Sequence, residues 1–155
     1  MKLVTDTAPF SSQLQAYRIT NPEFTTPPIT AIERAHRDQN QHPVLLINDA
    51  NEVCTFLMLD TDSTKDKYTE NPHSILLKSF STNERFLRHG YAQATLDLLP
   101  GYLSTNYPTI TELVLGVNQR NQAAQHLYQK AGFTKTGQVI SGPNGPLLVF
   151  TKSLS

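Results

Sequence analysis

The sequence lacks several features that define specialised classes of protein. It has one cysteine, Cys54, so no disulfide can form within the chain. It contains no apolar run of about 18 residues, the length that spans a membrane, and its first residues have no apolar stretch typical of a signal peptide. Lysine plus arginine and aspartate plus glutamate number 13 each, so no overall charge favours nucleic acid or an anionic membrane. We therefore predict a cytoplasmic protein that binds neither nucleic acid nor membrane.

Sequence signatures of metal and nucleotide sites are also missing. The five histidines show no ligand spacing, no basic stripe marks a nucleic-acid surface, and no glycine-rich Walker or dinucleotide fingerprint follows an early strand. The sequence predicts no metal site, and a nucleotide-binding α/β domain is the least supported interpretation.

What is present is the composition of one folded domain. The 155 residues are 38% hydrophobic and 17% charged, without repeats, linkers or low-complexity segments. Hydrophobic periodicity predicts strands at 44–47, 53–59, 74–81, 110–117, 133–139 and 146–152, and helices within 21–40, at 90–107 and at 122–131. Two strand–helix–strand crossovers predict a mixed sheet with helices packed on it.

Two of these helices carry prolines with different expected effects. Pro28 suits an early helical position, and Ile29, Ile32 and Ala35 have the spacing of a buried face. Pro100 lies inside the helix at 90–107, where it removes a backbone hydrogen bond and is expected to cause a kink.

The segment 85–92 lies between a predicted strand and the long helix. The first N–H groups of a helix lack intrahelical partners and bind anions such as a diphosphate. Gly90 and Ala92 are small enough to let phosphate oxygens approach the backbone, and Arg88 and His89 could add positive charge. Without further context, the same residues fit an ordinary helix-entry turn with solvated basic side chains.

A second distinctive run covers residues 118–133. Asn118 or Asn121 can cap the helix that follows. Ala124 has the spacing of a core residue, and Tyr128 that of an amphipathic residue at the edge of a core. Gly132 stands where a left-handed residue commonly ends a helix.

The two runs resemble the motifs of the GNAT N-acetyltransferases. The pattern of the family's acetyl-CoA diphosphate loop, Gln/Arg-x-x-Gly-x-Gly/Ala, is matched by Gly90 and Ala92, whereas Leu87 departs from its first position. The signature Asn-x-x-Ala-x-x-Leu-Tyr-x-Lys-x-Gly-Phe is matched at every fixed position by residues 121–133. Both motifs lie in the expected order, and the resemblance covers residues 74–133.

The resemblance implies the GNAT fold over the single domain 1–155. This is an α/β (α+β mixed) fold, with a central mixed, mostly antiparallel sheet of about six to seven strands that is splayed between the fourth and fifth and flanked by about four helices. It also implies acetyl-CoA as cosubstrate, no metal, and direct transfer of the acetyl group to the primary amine of a small molecule, peptide or protein. A homodimer is compatible with the family.

The resemblance also assigns roles to individual residues. Tyr128 would protonate the departing thiolate as general acid. The residues expected to bind the cofactor are Phe80, Ser81, Thr82, Leu87, Arg88, His89, Gly90, Tyr91, Ala92, Asn118, Asn121, Ala124 and Tyr128.

The general base and the acceptor site have no such motif. Glu84 is closest in sequence to the expected site, with Glu33, Asp60 and His73 as alternatives. The acceptor pocket is expected from the segments 21–40, 61–73 and 137–146. Cys54 lies in an apolar strand pattern and is expected to be a buried, inert thiol. Because Leu87 departs from the motif and no base stands out, a non-catalytic acyl-CoA-binding sensor or interaction module is the alternative function.

Overall fold

The computed structural model describes residues 1–154, which form one seven-stranded sheet with helices on both faces. The strands are β1 (Lys2–Val4), β2 (Gln41–Ile47), β3 (Val53–Asp60), β4 (Ser74–Thr82), β5 (Glu112–Asn118), β6 (Thr134–Gly142) and β7 (Gly145–Ser153). The α-helices are α1 (Ser11–Ala16), α2 (Pro28–Ala35), α3 (Tyr91–Asn106) and α4 (Gln122–Lys130). Within these residues, none of the helices is long and apolar enough to cross a membrane.

The sheet is mixed and mostly antiparallel, as predicted. Its strand order is β1-β2-β3-β4-β5-β7-β6. Only β4 and β5 pair in parallel, joined by the crossover through α3; all other neighbours are antiparallel. β7 lies between β5 and β6, so the second crossover, through α4, joins strands that are not adjacent.

The core consists of two layers that share strand β3. Leu57 and Leu59 belong to the cluster that includes α3 and α4 residues, whereas Phe56 and Met58 belong to the cluster with α1 and α2. Every residue of β3 is buried because both faces of the sheet are covered. Each fully buried Leu, Met or Phe side chain contributes about 1.5–3 kcal/mol through loss of apolar surface to water.

Two details of the helices differ from the sequence prediction. In α2, Pro28 is the first helical residue as expected, but the predicted buried face is wrong at Ile29, which is 37% exposed, while Ala31 and Ile32 are buried. The reason is that positions 28, 31, 32 and 35 share one helical face, and position 29 is turned away from it. The short helix α1 was not predicted, since Leu14 is its only buried residue and gives no apolar period.

The splay in the middle of the sheet comes from the way β4 leaves both of its neighbours. β4 pairs with β5 only over residues 74–76, although both strands continue further. On its other side, β4 has a bulge against β3 at Ser79 and Phe80, and Ser79 has a positive φ of 56°. Beyond Leu76 the two central strands therefore border an open cleft.

Candidate active site

The turn before α3 follows the end of β4, one of the two strands that border this cleft, and presents unpaired backbone donors. Gly90 is the N-cap residue, with φ 78° and no side-chain cap, and the first helical bond runs from the Ala94 N–H to the Gly90 carbonyl at 3.0 Å. Within residues 1–154, the N–H groups of 90–93 have no acceptor. A helix start with free N–H groups and the positive end of the dipole favours an anion.

The residues before Gly90 shape this turn. Leu87, predicted to bind the cofactor, already donates its N–H to the Glu84 carbonyl at 3.3 Å, and its side chain is 39% exposed. The His89 ring stacks on Tyr91 with an interplanar angle of 8° and places Nδ1 2.9 Å from the Leu87 carbonyl oxygen. Arg88 is exposed in the left-handed region, with φ 65°. Arg88 therefore provides a positive charge close in sequence to the free amides.

Asn118 and Asn121 have different local roles, and only Asn121 caps the helix. The Asn121 Oδ1 accepts a hydrogen bond from the Ala124 N–H at 3.2 Å and caps α4. The Asn118 Oδ1 accepts from the Arg120 N–H at 2.9 Å, and its Nδ2 donates to the Asn144 carbonyl at 2.9 Å. Both asparagines also line a small cavity in the cleft between β4 and β5.

Tyr128 also lines this small cavity. Its ring is 8% exposed and packs against Phe80, Phe133 and Phe150. Within the described chain, its hydroxyl has no hydrogen-bond partner. Burial raises the pKa of Tyr128 well above its usual value, because a phenolate would lose its hydration. The residue is therefore a protonated hydroxyl, free to donate a hydrogen bond into the cavity.

The small cavity adjoins a larger one of about 380 Å³ on the α2 side of the cleft. The two share lining residues of β4 and β5, including Lys78, Ser79 and Gly116. All three segments predicted to frame the acceptor pocket contribute to its lining, through residues 22–26, Ala31, Arg34, Tyr68, Pro143 and Asn144.

Two of these segments are joined across the large cavity. The Asn144 Nδ2 donates to the Glu23 carbonyl at 2.6 Å. The guanidinium of Arg120 lies 5.6 Å above the Phe24 ring and donates through Nη2 to the Asn144 carbonyl at 3.0 Å. The loop before α2 is thus tied to the β6–β7 hairpin.

The carboxylates and histidine predicted as general bases line neither cavity. Glu84 is exposed in the 3₁₀ turn after β4, and Glu33 and His73 are also exposed. Asp60 is 1% exposed and forms an ion pair with Lys78 at 2.8 Å. The charged residues that do line the larger cavity are Glu23, Arg34 and Lys78, and none of them stands in a motif that would have revealed it.

The strand residues predicted to contact the cofactor fall into two groups. Phe80 lines the small cavity. Ser81 and Thr82 line neither cavity: the Ser81 carbonyl accepts a hydrogen bond from the Tyr17 hydroxyl at 2.8 Å, and Thr82 is in register with Thr55 of β3. This follows from the bulge, after which β4 pairs with β3 again.

Cys54 is fully buried, as predicted. Burial raises the pKa of its thiol, and its Sγ donates to the Glu52 carbonyl at 3.4 Å. A neutral, inaccessible thiol is a poor nucleophile, so the geometry gives no support to a covalent acetyl-cysteine route.

Comparison with known proteins matches this chain to a family. The model of the Acetyltransferase (GNAT) family matches residues 10–133. An uncharacterised N-acetyltransferase, YbbJ of Bacillus subtilis (strain 168), is 34% identical over 139 residues, which cover 88% of this chain and 87% of that protein.

Solved structures share the fold at lower identity. The aminoglycoside acetyltransferase AAC(6')-Ib in complex with coenzyme A and kanamycin is 19% identical, with a TM-score of 0.72 over 98% of this chain and 92% of its own. The ribosomal-protein-S18-alanine N-acetyltransferase of Escherichia coli is 16% identical, with a TM-score of 0.68 over 99% and 94%. The fold, the two motifs and the family match together assign this chain to the GNAT family of acetyltransferases.

Proposed function

We propose that this protein transfers the acetyl group of acetyl-CoA to a primary amine by direct attack in a ternary complex. One observation carries the proposal: the start of α3, the helix that connects β4 to β5, leaves the amides of 90–93 free, and the unpaired Tyr128 hydroxyl lines the cleft between the same two strands. An anion-binding turn followed by a proton donor suits a cosubstrate that has a diphosphate at one end and a thioester at the other.

The turn would hold the diphosphate. The N–H groups of Gly90, Tyr91, Ala92 and Gln93 have no acceptor among the described residues, and Arg88 adds a positive charge beside them. Backbone donors do not depend on side-chain identity, so Leu87 at the first motif position does not remove them. Leu87 itself would contribute its exposed side chain, since its N–H is already used.

The chemistry would take place where the two cavities meet. Acetyl-CoA supplies a thioester carbonyl that an amine attacks, forming the N–C bond as the C–S bond breaks. The backbone N–H group of Phe80, at the bulge of β4, would stabilise the developing negative charge on the carbonyl oxygen. The Tyr128 hydroxyl would donate its proton to the departing thiolate, and the proton lost by the attacking nitrogen would return to solvent or restore the phenol.

The attacking amine must be neutral, so its ammonium form needs a proton acceptor. Glu84 was the sequence-based candidate, but its position outside both cavities does not favour it. Among residues 1–154, Glu23 is the only carboxylate that lines the larger cavity. We therefore assign two roles to Glu23. Its carboxylate would attract the ammonium group of the acceptor, and it would assist the first transfer of the ammonium proton to water.

The test is release of free thiol from acetyl-CoA with a panel of primary amines. Tyr128→Phe should lower kcat about 100-fold, the usual contribution of a general acid, while the Kd for acetyl-CoA stays level. Tyr102→Phe is the matched control, because the Tyr102 ring packs on Tyr107 and lines neither of the two cavities in the cleft. A Tyr128→Phe enzyme as fast as the parent would remove the assigned role.

The alternative is a non-catalytic acyl-CoA sensor, favoured by the departure at Leu87. Thiol release absent with every amine, combined with tight binding of acetyl-CoA, would support the sensor. Absence of both binding and release would contradict both functions.

A further inference from the structure

The larger cavity has a charge distribution that selects among amines. Its lining includes two cationic residues, Arg34 and Lys78, and one carboxylate, Glu23. Lys78 is held by Asp60 at 2.8 Å. Within the described residues, the Arg34 side chain has no hydrogen-bond or ion-pair partner. Arg34 is therefore the one cation at this cavity whose charge is not balanced by a direct contact.

The position of Arg34 separates it from the reacting groups. Arg34 lies in the last turn of α2 and lines only the larger cavity, whereas Tyr128 and Phe80 line only the smaller one. A ligand that reaches from the thioester into the larger cavity would bring its far end toward Arg34. The group at that end would lie beside the Arg34 guanidinium. A guanidinium is planar and can donate two parallel hydrogen bonds to one carboxylate.

A polycationic acceptor does not suit this lining. Each ammonium beyond the reacting one would need an anionic partner, and Glu23 is the only carboxylate on the lining, while Arg34 and Lys78 would repel it. The Asp60 carboxylate is 1% exposed and already accepts hydrogen bonds from Lys78, Thr64 and the Asp62 N–H. The Asp60 carboxylate therefore cannot form an ion pair with a second ammonium group without leaving Lys78 unpaired.

We propose that the acceptor is a primary amine that also carries a carboxylate, and that Arg34 binds this carboxylate and determines specificity. The inference rests on the proposed acetyltransferase function and goes further by naming the class of acceptor. In this arrangement, Glu23 lies near the ammonium end, Arg34 holds the carboxylate end, and the amine attacks from the larger cavity.

The experiment compares acceptors that differ only at the far end. One set is γ-aminobutyrate, its carboxamide and putrescine, repeated for amino acids with shorter and longer carbon chains and for their matched amides and diamines. We expect kcat/KM to be highest for a carboxylate member. Arg34→Gln should raise KM for that member about two- to fivefold, as for an exposed ion pair, with little change for its amide. Arg34→Glu should shift the preference toward the diamine.

Arg37→Gln is the matched control, because Arg37 is exposed just after α2 and lines neither cavity. Binding of the N-acetylated products gives a readout that does not need turnover: the N-acetyl carboxylate should bind more tightly than its amide in the parent and equally in Arg34→Gln. Turnover without a preference for carboxylates would overturn the inference and leave the acetyltransferase intact. Equal binding of both products would also overturn it, and failure to bind acetyl-CoA would overturn the proposed function as well.

Discussion

The two proposed ends of the ligand site present different kinds of chemical group. At the turn before α3, the donors are backbone N–H groups of residues 90–93, which no described residue accepts. At the larger cavity, the charged groups are the side chains of Glu23, Arg34 and Lys78, which come from three separate segments. Binding at the turn depends on backbone conformation, whereas binding at the larger cavity depends on the identity of the side chains that line it.

This difference explains how one fold can keep its cosubstrate and change its acceptor. A backbone site survives substitution of almost any residue that keeps the turn, because main-chain N–H groups do not depend on side-chain identity. A side-chain site changes with each substitution, so relatives with the same fold are free to recognise other amines. The two ends should therefore respond separately to mutation.

The largest expected effect comes from a negative charge placed at the backbone end. Ala92→Asp puts a carboxylate in the first turn of α3, where it stabilises the helix by about 0.3–1 kcal/mol but repels a diphosphate. We expect the Kd for acetyl-CoA to rise at least about 30-fold, or about 2 kcal/mol. The melting temperature should hold or increase, which separates lost binding from lost folding. Calorimetric titration and thermal unfolding measure the two quantities.

Ile29→Asp is the control for this change, because Ile29 is the second residue of α2, as Ala92 is of α3. It should gain helix stability without weakening acetyl-CoA binding. Equal losses of affinity in both variants would mean that overall charge, not the turn, determines binding.

A smaller effect tests whether the two ends are mechanically independent. Tyr17 follows α1, and its hydroxyl donates a hydrogen bond to the buried Ser81 carbonyl at 2.8 Å, beyond the bulge of β4. Tyr17→Phe leaves that carbonyl without its donor and should lower the free energy of unfolding by about 1–2 kcal/mol. Tyr102→Phe should change it little, since no described residue bonds to the Tyr102 hydroxyl. Urea unfolding measures both, and a tenfold loss of acetyl-CoA affinity in Tyr17→Phe would show that the ends are coupled.

The smallest effect concerns the volume of the acceptor end. A Cβ at Gly116 would lie 3.0 Å from Tyr68 Cε2 and 3.3 Å from Leu147 Cβ. Gly116→Ala should therefore narrow the cavity, raise the acceptor KM a few-fold and cost about 1 kcal/mol of stability, with the Kd for acetyl-CoA unchanged. Gly101→Ala, inside α3 with nothing within 4 Å, should instead stabilise the protein by about 0.5–1 kcal/mol. Steady-state kinetics with unchanged acceptor KM in Gly116→Ala would contradict the placement of the acceptor.

The same contrast determined what could be predicted from sequence. Strands β2 to β7 and the long helices were predictable because apolar periods and the 121–133 motif indicate them directly. The three-residue strand β1 was missed, and the splay of the sheet was implied by the family resemblance alone. The bulge at Ser79 could not be located from the sequence, since a serine at positive φ leaves no pattern. Glu23 and Arg34 were missed as site residues because loop and helix geometry, not spacing along the chain, brings them to one cavity. Helix α1 was missed because a single buried leucine carries no period.

The central claim is that the amides at the start of α3 bind the diphosphate of coenzyme A. Amide resonances measured by heteronuclear NMR during titration with coenzyme A test it directly, with pantetheine as the ligand that lacks the diphosphate. The account predicts that residues 90–93 show the largest amide shifts with coenzyme A and small shifts with pantetheine. Saturation with coenzyme A that leaves these amides unshifted, or equal shifts with pantetheine, would contradict it.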